Sequence, residues 1–226
     1  MVELLTAIRK NAVGLAIFAM VTAGAIALTQ TLTSERIANN IKAAEGRALN
    51  QIVPADSYDN DLLTDTLSIA PFADAELLGP IPDNAVVYRA RNQGQISAVI
   101  LPAVAPDGYT THIDMIVGIR ADGSLAGVRV VAHRETPGLG DKIEVRKSDW
   151  IKDFEGKSLL NPEADGWAVK KDGGEFDEFT GATITPRAVV ASVYNALAFF
   201  EQHRDELLDP DLNPARLAAR GTSNGN

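Results

Sequence analysis

The sequence predicts an α+β protein: an N-terminal transmembrane helix with a stalk, then a periplasmic domain with a mainly antiparallel sheet packed by helices. Three observations carry this reading. No charged residue lies between Lys10 and Glu35. Four strand-like segments form two hairpins between Ala85 and His133. A single long helical pattern, Thr185 to Leu207, comes after them.

The apolar run Ala12–Leu28 (AVGLAIFAMVTAGAIAL) has a Thr-rich flank. At ~1.5 Å per residue the two together reach the ~30 Å hydrocarbon thickness of a bilayer. Arg9 and Lys10 precede it, whereas Glu35 and Arg36 cancel beyond it. The positive-inside rule then places the N-terminus in the cytoplasm and the main domain outside. A signal peptide cleaved after Ala25-Ile26-Ala27 is the competing reading of the same run; the uncleaved anchor is the one carried forward. The window Asn11–Ser34 has no acid or base, so this helix offers no ionisable group to the membrane interior.

Residues 33–50 have Ile37, Ile41, Ala44 and Leu49 at helical spacing, so the anchor continues as a stalk that Pro54 ends. Residues 56–65 are polar and irregular, and Pro71, Pro80 and Pro82 punctuate the next stretch. Ala85–Arg91 and Gln95–Val104 flank Asn92-Gln93-Gly94, while His112–Arg120 and Leu125–His133 flank Ala121-Asp122-Gly123. Both connections have the turn chemistry of hairpins, which favours an antiparallel sheet over a doubly wound one. A short helix is expected at Ser148–Phe154 and a further strand at Trp167–Lys170. In the final helix Thr185 is the expected N-cap and Pro186 the first helical residue, with Val189, Val193, Leu197 and Phe200 facing the core. The boundaries are therefore 1–34 for the anchor, 35–84 for stalk and linker, 85–207 for the main domain and 208–226 for a mobile tail.

Composition narrows the chemistry. Thirty acidic against 21 basic residues give a net charge of −9, which argues against nucleic-acid binding. Cysteine is absent, excluding disulfides, thiolate metal sites and a cysteine nucleophile. His112, His133 and His203 are scattered along the chain, so a clustered imidazole metal site is not expected.

One stretch concentrates small and hydroxyl residues at a helix start: Asp177-Glu178-Phe179-Thr180-Gly181-Ala182-Thr183-Ile184-Thr185-Pro186-Arg187. Unpaired N–H groups and the helix dipole make such a place an anion site. Gly181 and Ala182 permit close backbone approach, threonine hydroxyls add donors, and Arg187 adds a cation. The alternative is a polar turn that merely caps the helix.

Asp177…Thr180-Gly181-Ala182-Thr183 matches the pattern Asp-x-x-Ser/Thr-Gly-Ala-Thr/Ser recognised by flavin transferases. His133-Arg134-Glu135-Thr136-Pro137-Gly138-Leu139-Gly140-Asp141-Lys142 is similar to the Glu-Thr-Pro-Gly-Leu-Gly signature of the same proteins. On these two motifs, the anchor and the domain size, the chain resembles the covalent-FMN-binding family of RnfG proteins from about residue 5 to 205. These proteins belong to the Rnf ion-translocating electron transport complex. The corresponding flavin-carrying component of the sodium-translocating NADH:quinone reductase is the nearest alternative family.

The resemblance implies FMN linked by a phosphoester to Thr183, delivered from FAD by a separate magnesium-dependent transferase. Asp177, Thr180, Gly181 and Ala182 would serve recognition and line the phosphate, with Thr185 and Arg187 beside it. Glu135, Thr136, Gly138, Leu139 and Gly140 would lie against the flavin. Residues 85–207 would be the FMN-binding domain of an electron-carrier subunit, not catalytic alone. Its complex would couple electron transfer between ferredoxin and NAD to Na+ or H+ translocation in the bacterial inner membrane. Expected partners are an iron–sulfur membrane subunit pair and a second flavin subunit, the membrane helix docking through Ala19, Ala23 and Ala27. Two other function classes compete, a stand-alone periplasmic flavin reductase and a non-redox anchored binding domain. Trp150 and Trp167 are expected in the core or at subunit contacts rather than stacked on flavin.

Overall fold

The computed structural model describes residues 2–213, with side chains for 12–34 and 46–213. The chain divides into two compact units, Met1–Glu45 and Gly46–Asn226. Helix α1 (Val2–Asn50) forms the first and ends in the second. Within it Ala12–Ser34 is a 23-residue run of mean hydropathy 2.1, long and apolar enough to cross a membrane. Its threonines do not leave hydroxyls unpaired. Thr22 donates to the Phe18 carbonyl at 2.9 Å, Thr29 to Ala25 at 2.8 Å and Thr33 to Thr29 at 2.8 Å, the arrangement that makes a hydroxyl tolerable in hydrocarbon.

The second unit is built on a five-stranded antiparallel sheet in sequential order. Its strands are β1 (Thr66–Ser68), β2 (Val86–Asn92), β3 (Gln95–Ala105), β4 (Ile113–Arg120) and β5 (Leu125–Ala132). Gln93 and Gly94 take φ of 52° and 80°, the paired left-handed geometry of a tight two-residue hairpin whose twist matches the strands it joins. Across β3 and β4, Val99 faces Ile119 and Leu101 faces Val117. These residues, with Val87, Ala103, Ile113 and Met115, are buried in the main core. Helix α2 (Ile184–Gln202) covers that face through Val189, Val193, Ala196, Leu197 and Phe200. Each large side chain contributes roughly 1.5–3 kcal/mol by burial.

The opposite sheet face is covered as well. Leu49, Ile52, Val53 and Leu62 form a second buried cluster with Ala90, Ala98, Ile100 and Ala126. Gly118 makes room for it: a β-carbon there would lie 2.1 Å from Ile52 Cγ2. Residues 46–84, read from sequence as stalk and linker, thus contribute both the second core layer and the edge strand β1.

Other expectations are corrected. Ser148–Phe154 is a 3-10 turn over Trp150–Phe154. Trp167–Lys170 is no regular strand. Val169 makes one parallel bridge to Phe176, because the chain turns back at Gly173-Gly174 so tightly that a β-carbon on Gly174 would sit 2.0 Å from the Ala168 carbonyl oxygen. The last helix stops at Gln202, and α3 (Arg204–Leu207) is a separate turn. Residues 209–212, expected in the mobile tail, are packed instead. Buried Arg89 binds Asp65 at 2.6 Å and the Leu212 carbonyl at 2.9 Å, Arg91 binds Asp65 and the Pro210 carbonyl, and Leu212 is buried. Residues 214–226 lie outside the described part.

Candidate functional site

An aromatic base supports the Thr-rich segment. Trp150 packs edge-on to Phe179 with centroids 5.0 Å apart, and its indole N–H donates to the Asp177 carbonyl at 2.8 Å. Phe154 stacks on Phe176 at 4.6 Å, and Trp167 packs on the same ring. Both tryptophans belong to the core, as the sequence suggested. From this base the chain makes a β-turn: the Ala182 N–H donates to the Phe179 carbonyl at 3.0 Å, and Gly181 takes φ +83°, a conformation that favours glycine.

Thr183 comes next as the N-cap residue of α2, with φ −71° and ψ −26°, and its hydroxyl makes no capping bond. The expected N-cap, Thr185, is instead inside the first turn and fully buried, and Pro186 is the third helical residue. The proline is tolerated there because first-turn N–H groups have no intrahelical partner. The backbone N–H groups of Ile184 and Thr185 belong to that unpaired set. Thr183 is half-buried, Thr180 and Gly181 are exposed and Ala182 is half-buried.

The second motif forms a turn of its own. The Thr136 carbonyl accepts from Leu139 N–H at 3.1 Å and Gly140 N–H at 3.0 Å. Gly138 takes φ +78° and donates its N–H to the buried Asp141 carboxylate at 2.8 Å, which also meets Lys147 at 3.4 Å. Upstream, His133 Nδ1 accepts the Glu135 N–H at 3.1 Å, which leaves Nε2 as the donor to Glu144 at 3.1 Å.

The two motifs meet at two places. A β-carbon on Gly181 would stand 3.6 Å from Leu139 Cδ2, so Leu139 lies against the Thr183 turn. Deeper, the Thr185 hydroxyl donates to the Glu135 carboxylate, and Gly140 packs so closely that a β-carbon would be 2.9 Å from Thr185 Oγ1. Glu135 also accepts backbone N–H bonds from Tyr109 at 3.3 Å and Thr110 at 3.0 Å. Nothing in the sequence pointed to these two donors, which act through the main chain. Glu135, Gly140 and Thr185 are buried, whereas Thr136, Gly138 and Leu139 reach the surface.

Two ion pairs flank the turn. Asp177 meets Lys170 at 2.5 Å, and this hydrogen bond raises the lysine pKa above its ordinary value. Arg187 grips Asp172 with contacts of 2.5 and 2.6 Å, lowering the Asp172 pKa. Both predicted charges, Asp177 and Arg187, are therefore engaged with neighbours rather than with Thr183. Apolar surface stands open nearby: Leu139 is 42% and Ile184 44% exposed. Among the described residues no cluster of His, Cys, Asp and Glu forms a metal site.

This surface suits a flavin phosphate. It offers a hydroxyl with no capping duty, first-turn helix N–H groups without an intrahelical partner, a turn with no β-carbon at Gly181 and adjacent exposed apolar side chains. Residues 108–198 match the FMN-binding domain model and residues 1–52 the RnfG N-terminal region. A Pseudomonas aeruginosa protein, the G component of an ion-translocating oxidoreductase complex, is 53% identical over 205 residues, 89% of this chain and 92% of its own length. Proteins of the same name from Vibrio atlanticus and Vibrio cholerae are 46% and 45% identical, covering 93% and 90% of this chain and 98% and 95% of their own lengths. These relatives carry the name of the ion-translocating oxidoreductase component, not that of the quinone reductase. The chain belongs to the RnfG family of ion-translocating oxidoreductase complexes, as an electron-transport flavin subunit with an FMN-binding domain.

Proposed function

We propose that this chain is a membrane-anchored electron carrier whose FMN is esterified through its phosphate to the Thr183 hydroxyl. The observation that supports the reading is Thr183 itself: half-buried, its hydroxyl free of capping, two residues after Gly181, which packs against Leu139. When bound, FMN supplies one- and two-electron redox chemistry that no side chain of this protein provides.

The chain's residues hold and orient. Unpaired N–H groups at the start of α2 offset the phosphodiester charge by up to about 2 kcal/mol. Gly181 and Ala182 let the backbone approach closely, and Thr180 adds a hydroxyl. Arg187 would hold the phosphate only in exchange for Asp172, its partner here. The exposed Leu139 and Ile184 side chains would hold the isoalloxazine by apolar contact, with Thr136 and Gly138 on the same surface. Glu135, Gly140 and Thr185 stand behind this surface. Asp177 serves recognition by the flavin transferase.

A covalent tether keeps the flavin on a domain that faces a large volume outside the cytoplasm. Arg9 and Lys10 support a cytoplasmic N-terminus and a periplasmic main domain, on a single-pass inner-membrane helix. The domain relays electrons between an iron–sulfur membrane subunit pair and a second flavin subunit, in a complex that couples ferredoxin–NAD electron transfer to Na+ or H+ movement carried by the partners.

The test is attachment. The full chain in detergent is incubated with flavin transferase, FAD and Mg2+, so that the Thr183 oxygen attacks the FMN phosphorus of FAD and AMP leaves with the hydroxyl proton released, and flavin fluorescence is read on a denaturing gel. Wild type and Thr185→Ser become fluorescent and Thr183→Val does not. Equal fluorescence from Thr183→Val would refute the assignment.

A further inference from the structure

We propose that Glu135 and Thr185 form a buried latch that positions the Leu139 loop against the Thr183 turn, shaping the flavin site without touching the flavin. The latch rests on the FMN reading above for its function, but its geometry stands without it.

Glu135 is 4% exposed and Thr185 0%, so neither side chain presents a surface to a ligand. Both carboxylate oxygens are occupied: Oε1 by the Thr110 N–H, Oε2 by the Tyr109 N–H and the Thr185 hydroxyl. One side chain thereby ties three segments that are distant in sequence: the middle of the β3–β4 connection, the loop after β5 and the first turn of α2. Charge-assisted bonds of this kind are stronger than neutral ones, and a buried carboxylate left with fewer donors is costly.

Gly140 makes the latch fit. Its missing β-carbon would lie 3.0 Å from Glu135 Cβ and 2.9 Å from Thr185 Oγ1. The main chain of the Leu139–Gly140 turn therefore rests directly on the latch. Leu139, the preceding residue, then projects to the surface beside Gly181. Loosening Thr185 from Glu135 releases the Leu139 loop from α2 while leaving Thr183 and its recognition turn unchanged in sequence. Glu135 and Thr185 are positioning residues, and Leu139 is the residue they position.

The test uses the full chain in detergent with Thr185→Val, which keeps shape and loses the hydroxyl, and Thr185→Ser, which keeps the hydroxyl. Amide hydrogen exchange is read in the flavin-free Thr183→Val background, and iodide quenching of flavin fluorescence in the loaded proteins. Thr185→Val should speed exchange of the Leu139 and Gly140 amides about tenfold, as expected for one lost charge-assisted bond, and should make the flavin more quenchable. Thr185→Ser should match wild type in both. Glu135→Gln, a second variant, should speed exchange at Tyr109 and Thr110 with an unchanged far-UV spectrum. Unchanged exchange in Thr185→Val, or Thr185→Ser as perturbed as Thr185→Val, would overturn the latch. Absence of flavin on wild-type Thr183 would overturn the carrier reading instead, and the exchange measurement would still decide the latch.

Discussion

Replacing Gly140 with alanine tests the close packing behind the candidate flavin site. The added β-carbon would meet Thr185 Oγ1 at 2.9 Å, Glu135 Cβ at 3.0 Å and Glu135 Oε2 at 3.1 Å. Two of these atoms are near their own backbones and all belong to one hydrogen-bonded pair, so none moves away freely. Overpacking of this kind costs roughly 1–3 kcal/mol. For a domain of this size about 2–4 °C of melting temperature is lost per kcal/mol, giving an expected fall of ~2–12 °C. Gly127→Ala is the control. A β-carbon at Gly127 meets nothing closer than 3.6 Å, and the substitution should leave the melting temperature unchanged or slightly raised. Thermal unfolding of the full chain in detergent, followed by circular dichroism, measures both. Equal melting temperatures for Gly140→Ala and wild type would refute the packing argument.

Other parts of the molecule carry their own expected outcomes. Thr183→Val should change stability by less than about 0.5 kcal/mol, well short of the ~1–2 kcal/mol of a working threonine cap, because its hydroxyl caps nothing; chemical denaturation checks this. Arg89→Leu should destabilise by roughly 1–3 kcal/mol, since it removes one of the two arginines on half-buried Asp65 and the donor to the Leu212 carbonyl, and should free residues 209–213 for limited proteolysis. Burial pushes the Asp65 pKa up, but hydrogen bonds from Arg91 and Arg89 outweigh it and hold the pKa below its ordinary value. A lowered folded-state pKa stabilises above the unfolded value and is lost as pH falls through the folded one. Stability should therefore decline below about pH 4, and Asp65→Asn should flatten that decline in a pH series of melting curves.

The parts of the fold that could be read from sequence were those with a long, regular period. Ile113, Met115, Val117 and Ile119 alternate cleanly on β4 and all face the main core. On β3 the apolar run is nearly continuous because both faces are covered, Val99 and Leu101 by one cluster, Ala98 and Ile100 by the other. Strand β1 has three residues, too few for a period to show. Residues 46–63 read as the end of the stalk and the start of a linker because their apolar side chains are few and find partners far along the chain. Trp167–Lys170 had strand composition, but the closure at Gly173-Gly174 prevented a ladder.

The site divided in the same way. The Thr183 turn and the Leu139 loop were legible as motifs. Their mutual contact was not, because Thr185 and Glu135 are 50 residues apart and the Tyr109 and Thr110 donors are backbone groups with no side-chain signature. Thr185 looked like an N-cap by residue type, and burial against Glu135 claimed its hydroxyl. Arg187 looked like a phosphate ligand, and Asp172, in an unremarkable Lys-Lys-Asp-Gly stretch, holds it. The Arg89 contact with Leu212 spans 123 residues and left no local mark.

The central claim is the bond between FMN and Thr183, and peptide mass mapping reads it most directly. Protein purified from a host that has the flavin transferase is digested, and the peptide containing Thr183 is fragmented. The expected result is an FMN mass increment localised to Thr183 in wild type and absent from Thr183→Val. An unmodified Thr183 peptide from such a host, or the increment on another residue, would contradict it.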